Sequence, residues 1–302
     1  MKRDRTVLNM HPSPLREFAP AKVNLYLHVV GRREDGYHRL DSLVAFAGVG
    51  DTVTVAPAAG LSLRLGGPFA PLLADAPDNI VLRAARLLAE RIGMAPDVAI
   101  TLDKRLPVAA GLGGGSADAA ATLRGLIRLW NVDRSADDLI VLALALGADV
   151  PVCLYGAPAQ VSGIGEGIEP APALPSVWLL LVNPLCPLAT ATVFKVRAER
   201  GATYTIAMPI TESPGDASTL ASVLAVRCND LQESALALES VIGTVLEVLA
   251  RLPGCLLVRM SGSGTTCFGL FADGAAARAG ARALAIDRPT WWSAAAPLLP
   301  PF

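Results

Sequence analysis

The chain has 302 residues, 52% of them hydrophobic and 18% charged, enough for one large or two medium domains with an ample buried core. A net charge of −1 with scattered basic residues excludes the electrostatic footprint of a nucleic-acid binder. The five cysteines (Cys153, Cys186, Cys228, Cys255, Cys267) lack any Cys-x-x-Cys spacing, and His11, His28 and His38 lack metal-ligand spacing. Reduced, buried thiols in a cytoplasmic protein are expected, and no metal ligands are assigned.

Residues 1–17 are polar and read as a frayed leader without a signal-peptide core. Phe18–Val30 alternates as a strand, with Lys22, Asn24, Tyr26 and His28 on one face and Val23, Leu25, Leu27 and Val29 on the other. His38–Ala47 and Thr52–Ala56 read as strands joined by a tight turn at Gly50-Asp51, and Leu61–Leu65 as a short strand. Asp78 is the expected cap of a helix over 79–92 that ends at Gly93. Val98–Leu102 is a strand, followed by helices at Ala117–Trp130 and Ala136–Leu146. Pro151–Val161 suggests two extended pieces around Gly156, and the prolines of Glu169–Pro175 suggest a linker. The apolar run Leu139–Leu154 is too short and too interrupted to span a bilayer.

In the remainder, Val177–Val182, Cys255–Met260, Thr266–Phe271 and Trp291–Ala295 read as strands. Helices are expected near Thr190–Arg200, Ser218–Val226, Asp230–Ala237, Ser240–Leu252 and Ala275–Ala285. Strands and helices mix without strict βαβ alternation, so the class is α+β.

Between Val98–Leu102 and the next helix lies Pro107-Val108-Ala109-Ala110-Gly111-Leu112-Gly113-Gly114-Gly115-Ser116-Ala117. Four glycines in five positions leave the backbone bare, so several N–H groups can turn toward one anion. Ser116 as N-cap would add the positive end of a helix dipole. A Walker A loop needs Lys where Gly115 stands, and a Rossmann fingerprint needs Gly where Ser116 stands. A phosphate cradle or a flexible surface loop remains.

Other candidates each admit two readings. Lys22 is a solvated sheet residue or a cation in a cleft wall. Asp149, in an apolar stretch, caps a helix end or serves as a base paired with a cation such as Lys22. Tyr37 and His38 are half-buried turn aromatics or bind a flat heterocycle. Phe194 is a core residue or a stacking plate. Ser261-Gly262-Ser263-Gly264 is a hairpin turn or a second backbone nest.

Together, Ala19-Pro20-Ala21-Lys22-Val23-Asn24, the Pro107–Ser116 loop and Met260–Gly264 resemble the three motifs of the GHMP kinase superfamily, in order and across nearly the whole chain. Asp35–His38, Leu146–Pro151 and Asn229-Asp230-Leu231 are most similar to the branch that phosphorylates a cytidyl diphosphate sugar alcohol. The resemblance implies a two-domain GHMP kinase fold, an N-terminal domain over 1–168 and a C-terminal one over 176–302, joined by 169–175. ATP and the acceptor would meet in the cleft between them. It implies Lys22 and Asp149 as the catalytic pair and ATP phosphates, with Mg²⁺, on the loop from Pro107 to Ala117. Lys104 would lie near the adenine. Tyr37 and Phe194 would sandwich the cytosine, His38 would read its polar edge, and Asn24 and Thr190 would touch the substrate. Gly262, Ser263 and Gly264 form the third motif. Ala189 and Gln232 stand where Ser and Glu are expected, and Leu185-Cys186 where smaller or more polar residues are. No nucleic acid or membrane partner is implied, and the chain would be a monomer or weak homodimer. A mevalonate- or homoserine-type kinase and a non-catalytic sensor on the same fold are the alternatives.

Overall fold

The computed structural model describes residues 13–74, 78–133 and 136–302; His11 and the first part of the expected leader lie outside them. β1 (Leu15–Arg32) and β2 (His38–Pro57) form a long antiparallel pair. Leu15, Arg16 and Glu17 belong to this ladder, opposite Val55, Thr54 and Val53, and are not leader. β2 also runs unbroken through the expected turn at Gly50-Asp51. Gly50 serves a close strand approach instead: a Cβ there would lie 2.2 Å from the Ala19 carbonyl oxygen, next to a register shift at Pro20/Ala21.

The free edge of β2 is divided. β4 (Val98–Asp103) pairs with its C-terminal part and β5 (Ala159–Gly163) with its N-terminal part. β3 (Leu61–Gly66) lies parallel to β4, and β6 (Gly167–Pro170) antiparallel to β5, so Glu169 and Pro170 of the expected linker end a strand. A 3-10 turn at Ala70–Leu73 precedes α1 (Ile80–Ile92), which is capped by Asn79 rather than Asp78: the Asn79 carboxamide accepts the Val81 N–H at 3.0 Å. α2 (Gly114–Leu129) follows, with α3 (Ala136–Leu146) and α4 (Val150–Tyr155). α4 replaces an expected extended piece, because Pro151 suits a first helical turn and Gly156, with φ 71°, closes it.

The second sheet has the order β10-β7-β9-β8 and is antiparallel throughout. Its strands are β7 (Trp178–Asn183), β8 (Cys255–Met260), β9 (Cys267–Phe271) and β10 (Trp292–Pro297). The helices here are α5 (Thr190–Glu199), α6 (Ala217–Ala225), α7 (Gln232–Leu238), α8 (Val241–Ala250) and α9 (Gly274–Asp287).

Three apolar clusters hold these layers. One packs Val53, Val55 and Ile100 under the alanine face of α2, where Ala117, Ala119, Ala120 and Ala121 are buried. Small side chains let that helix sit close to the sheet, and Gly125 carries the closest approach: a Cβ there would stand 3.0 Å from Val55. The second joins the halves, setting Ala21, Val23, Leu25 and Leu43 against Leu179, Leu181 and Phe268. The third lies beneath α8 and α9 around Leu180, Val182, Val245, Leu249 and Leu284.

A bulge between Asn24 and Tyr26 resets the alternation read from the sequence. Leu27, not Tyr26, joins Lys22 and Asn24 in facing the cavity described below. Tyr26 and His28 instead reach Asp41 at 3.0 and 3.2 Å. Among the cysteines, Cys153 and Cys267 are buried as expected, Cys186 and Cys255 are half-buried, and Cys228 is exposed. Among the described residues, no helix is long and apolar enough to cross a membrane.

Candidate active site

One cavity of about 1220 Å³ opens between β1, the glycine loop, the N-terminal end of α5 and the Gly262-Ser263 turn. The Lys22 ammonium lies 2.8 Å from Asp149 Oδ2, joining residues 127 positions apart. Lys22 is almost enclosed, with 5% of its side chain exposed, whereas Asp149 has 46% exposed toward the opening. Asp149 makes no capping bond to α4; its carboxylate bonds Lys22 instead.

The glycine loop meets Lys22 from the other side. The Lys22 N–H donates to the Leu112 carbonyl at 2.9 Å. α2 begins earlier than expected, at Gly114, with Gly113 (φ 58°) in the cap position. Ser116 is therefore inside the first turn and does not cap. The unpaired N–H groups of that turn line the cavity, a ready anion site. Pro107, Val108, Ala109, Ala110, Gly111, Gly113, Gly114, Gly115 and Ser116 line it. Leu112 and Ala117 do not: each is 1% exposed and faces the apolar clusters.

The two glycine turns interlock. A Cβ on Gly111 would come 2.4 Å from the Ser261 carbonyl oxygen and 2.7 Å from that of Gly264. The Ser261 hydroxyl donates to the Gly111 carbonyl at 3.0 Å and accepts the Asn24 N–H at 3.2 Å. Asn229 secures the second turn, donating through Nδ2 to the carbonyls of Met260 and Gly262, both at 2.8 Å. Gln232, where Glu was expected, still supplies an acceptor: its Oε1 takes the Met260 N–H at 3.2 Å. Gly262 and Ser263 line the cavity, while Gly264 shapes the turn behind them.

Lys104 also lines the cavity, but its ammonium is committed elsewhere. It lies 2.6 Å from Asp51 Oδ2 and 2.7 Å from Asp118 Oδ2, with 3% of its side chain exposed. Burial alone would lower the Lys104 pKa, but the Asp118 and Asp51 carboxylates outweigh it and raise it. Burial pushes Asp118 up to about 7, against the pull of Lys104 and with the push of Asp51. Asp51 Oδ1 also accepts the N–H groups of Arg105 and Leu106, fixing the chain as it enters the loop. Lys104 thus braces the loop and offers no free charge to an adenine.

At the outer end, Tyr37 is 62% exposed and His38 stacks on Phe194 with ring centroids 4.8 Å apart. His38 thus occupies one face of the ring expected to form a sandwich with Tyr37. Burial, with Arg32 and Arg197, lowers the His38 pKa, so its ring is neutral at pH 7 and can both donate and accept. The Thr190 hydroxyl lies 2.8 Å from that of Ser263. Ala189, where Ser was expected, leaves α5 without a side-chain cap. Leu185 adopts φ 61°, its N–H held by Asn183 Oδ1 at 2.7 Å.

Sequence reasoning missed Asp51, Asp118, Asn79 and Lys195. Asn79 and Lys195 line the cavity with Asp118. The available signal for Asp118 was a lone charge in an alanine-rich helix start; nothing local marked Asp51 or Lys195.

This site sits in a chain whose residues 79–157 match the GHMP kinases N terminal domain and whose residues 210–287 match the GHMP kinases C terminal domain. The chain belongs to the GHMP kinases and is a small-molecule kinase. It is 58% identical to the 4-diphosphocytidyl-2-C-methyl-D-erythritol kinase of Paramagnetospirillum magneticum, over 93% of this chain and 97% of that protein. The kinase of the same name from Rhodospirillum rubrum is 57% identical over 92% of this chain and 91% of its own. A solved 4-(cytidine 5'-diphospho)-2C-methyl-D-erythritol kinase superposes with a TM-score of 0.77 at 35% identity, covering 94% of this chain and 99% of that one. Within the GHMP kinases, the chain belongs to the 4-diphosphocytidyl-2-C-methyl-D-erythritol kinase family.

Proposed function

We propose that the chain transfers the γ-phosphoryl group of ATP to the 2-hydroxyl of 4-diphosphocytidyl-2-C-methyl-D-erythritol, a step of the non-mevalonate route to isoprenoid precursors. The observation that carries this reading is the Lys22–Asp149 pair at 2.8 Å, set beside the N–H groups of a helix start in one cavity. Phosphoryl transfer needs little covalent work from the protein and much positioning and charge neutralisation. The amides of Gly113–Ser116 hold the β- and γ-phosphates. Asp149 orients the acceptor hydroxyl and takes its proton. The hydroxyl oxygen bonds to the γ-phosphorus as the bond from phosphorus to the ADP oxygen breaks. Lys22 stabilises the negative charge spread over the transferring group.

Among the described residues, no three His, Cys, Asp or Glu side chains gather as a protein cage for a metal. The donor set nonetheless fits Mg²⁺ carried on the nucleotide, which keeps waters and takes one or two protein oxygens. Asp118 Oδ1 is buried without a hydrogen-bond partner at the cavity wall, and Asp149 uses only Oδ2 on Lys22. These oxygens, with the Ser116 hydroxyl, would hold the ion, which neutralises phosphate charge when bound. Tyr37, His38, Phe194 and Thr190 form the acceptor end, where a planar base and its diphosphate fit. The protein works in the cytoplasm, where ATP is supplied and thiols stay reduced, as a monomer or weak homodimer.

A panel assay decides among acceptors. With ATP and Mg²⁺, the cytidyl acceptor should be turned over, and mevalonate, homoserine and galactose should not. Asp149→Ala should lower kcat about 10²–10⁴-fold with ATP affinity retained. Near-normal turnover by that variant, or preference for another acceptor, would refute the assignment.

A further inference from the structure

We propose that Ser42 is a positioning residue: it fixes the Asn24 carboxamide so that its Oδ1 is kept for a hydrogen bond donated by a hydroxyl of the phosphoryl acceptor. This rests on the reading that the cavity holds a polyol acceptor. Asn24 lies two residues from Lys22 on β1, and both line the cavity. Asn24 is only 4% exposed. Its Nδ2 lies 2.8 Å from the Ser42 hydroxyl, which in turn lies 2.5 Å from the Tyr26 carbonyl oxygen.

The direction of these bonds follows from the chemistry. A carbonyl only accepts, so the single Ser42 hydrogen goes to Tyr26. The Ser42 oxygen is left to accept, and the NH₂ side of Asn24 is what it can receive. The carboxamide orientation is therefore set by the network and not by the near-identical shapes of O and N. Asn24 Oδ1 is left buried, without any partner, in a side chain that forms the cavity wall. Its backbone N–H is already spent on Ser261. An acceptor atom held unpaired at such a wall is disfavoured until a donor arrives. The donor in a sugar alcohol is a hydroxyl, and the neighbouring Lys22–Asp149 pair is where a hydroxyl must be presented. The bulge that turns Leu27 inward also sets Ser42 opposite Leu27, on the inner face of β2, within reach of Asn24.

The test measures dissociation constants of wild type, Ser42→Ala, Ser42→Thr, Asn24→Ala and the double variant for three probes. These are 4-diphosphocytidyl-2-C-methyl-D-erythritol, cytidine diphosphate (which lacks the polyol) and ATP. Ser42→Ala should weaken the full acceptor roughly tenfold or more, the scale of one buried hydrogen bond lost, and leave the other two probes within about twofold. Ser42→Thr, which keeps the hydroxyl, should restore wild-type affinity. Adding Ser42→Ala to Asn24→Ala should cost nothing further, since Ser42 acts through Asn24. Equal loss for all three probes, an unchanged acceptor constant in Ser42→Ala, or additive losses in the double variant would each overturn the proposal. Failure of the wild type to bind the cytidyl acceptor would overturn the functional reading itself, and is seen before any substitution is made.

Discussion

Substituting Gly111 by alanine should break the contact between the two glycine turns. Gly111 has φ +72°, where an L side chain costs about 1–2 kcal/mol. The added Cβ would also lie 2.4 Å from the Ser261 carbonyl oxygen and 2.7 Å from that of Gly264. Both are backbone atoms, so relief requires the turns to part by about 1 Å, at an overpacking cost of roughly 1–3 kcal/mol. The total of about 2–5 kcal/mol corresponds to a fall in Tm of roughly 3–8 °C for a chain of this size. The same displacement moves the amides of the glycine loop, proposed above to hold the phosphates, away from the Lys22–Asp149 pair, and a misplacement near 1 Å costs about a hundredfold in rate. Gly115→Ala is the control: its Cβ would meet only Ile80, at 3.9 Å, so stability should stay within about 1 kcal/mol. Thermal unfolding and steady-state kcat on both variants decide the matter. A Gly111→Ala protein that melts with Gly115→Ala and keeps wild-type turnover would refute the interlock.

Ala189→Ser should restore a hydroxyl at the uncapped start of α5 and raise stability by about 1 kcal/mol, read from denaturant midpoints; no change would mean the cap geometry is wrong. Tyr37→Ala and Phe194→Ala should weaken cytidine diphosphate by roughly 1–3 kcal/mol, with Phe194 the larger because the His38 stack goes with it. An unaltered calorimetric Kd would count against the aromatic site. Asp118 holds its proton up to about 7 in the folded chain, against 3.8 in the unfolded one. Its contribution to stability is full below the unfolded value and is lost as pH rises through the folded one. Between pH 4 and 7 the wild type should therefore lose stability relative to Asp118→Asn, and parallel pH–stability curves for the two would contradict this.

The local grammar of the chain was readable where one residue type decides the outcome. Gly93 ended α1, the glycine loop led into a helix, and the four strands of the second sheet were found close to their positions. Errors arose where distant partners override local preference. Gly50 reads as a turn residue until Pro20 is placed across from it. The period-two pattern of β1 holds only to Asn24, because a bulge is invisible without the opposite strand. Within the site, the pairing of Asp149 with Lys22 is legible both in the apolar setting of that carboxylate, which calls for a cation, and in the motif resemblance; the two meet at 2.8 Å. The enclosure of Lys104 between Asp51 and Asp118 depends on residues 53 and 14 positions away and leaves no local trace. Nothing local separates Asn79 from its acidic neighbour as the cap of α1, because both side chains cap helices well.

The apolar cluster that sets Val23 and Leu25 of the first sheet against Leu181 and Phe268 of the second has a consequence for the integrity of this kinase. Severing the chain between the sheets would leave greasy faces uncovered on each fragment, so the two parts stand or fall as a single block. β1, which carries Lys22 and Asn24 into the cavity wall, is thus anchored in a core shared by both sheets, while Tyr37 at the rim stands out in water.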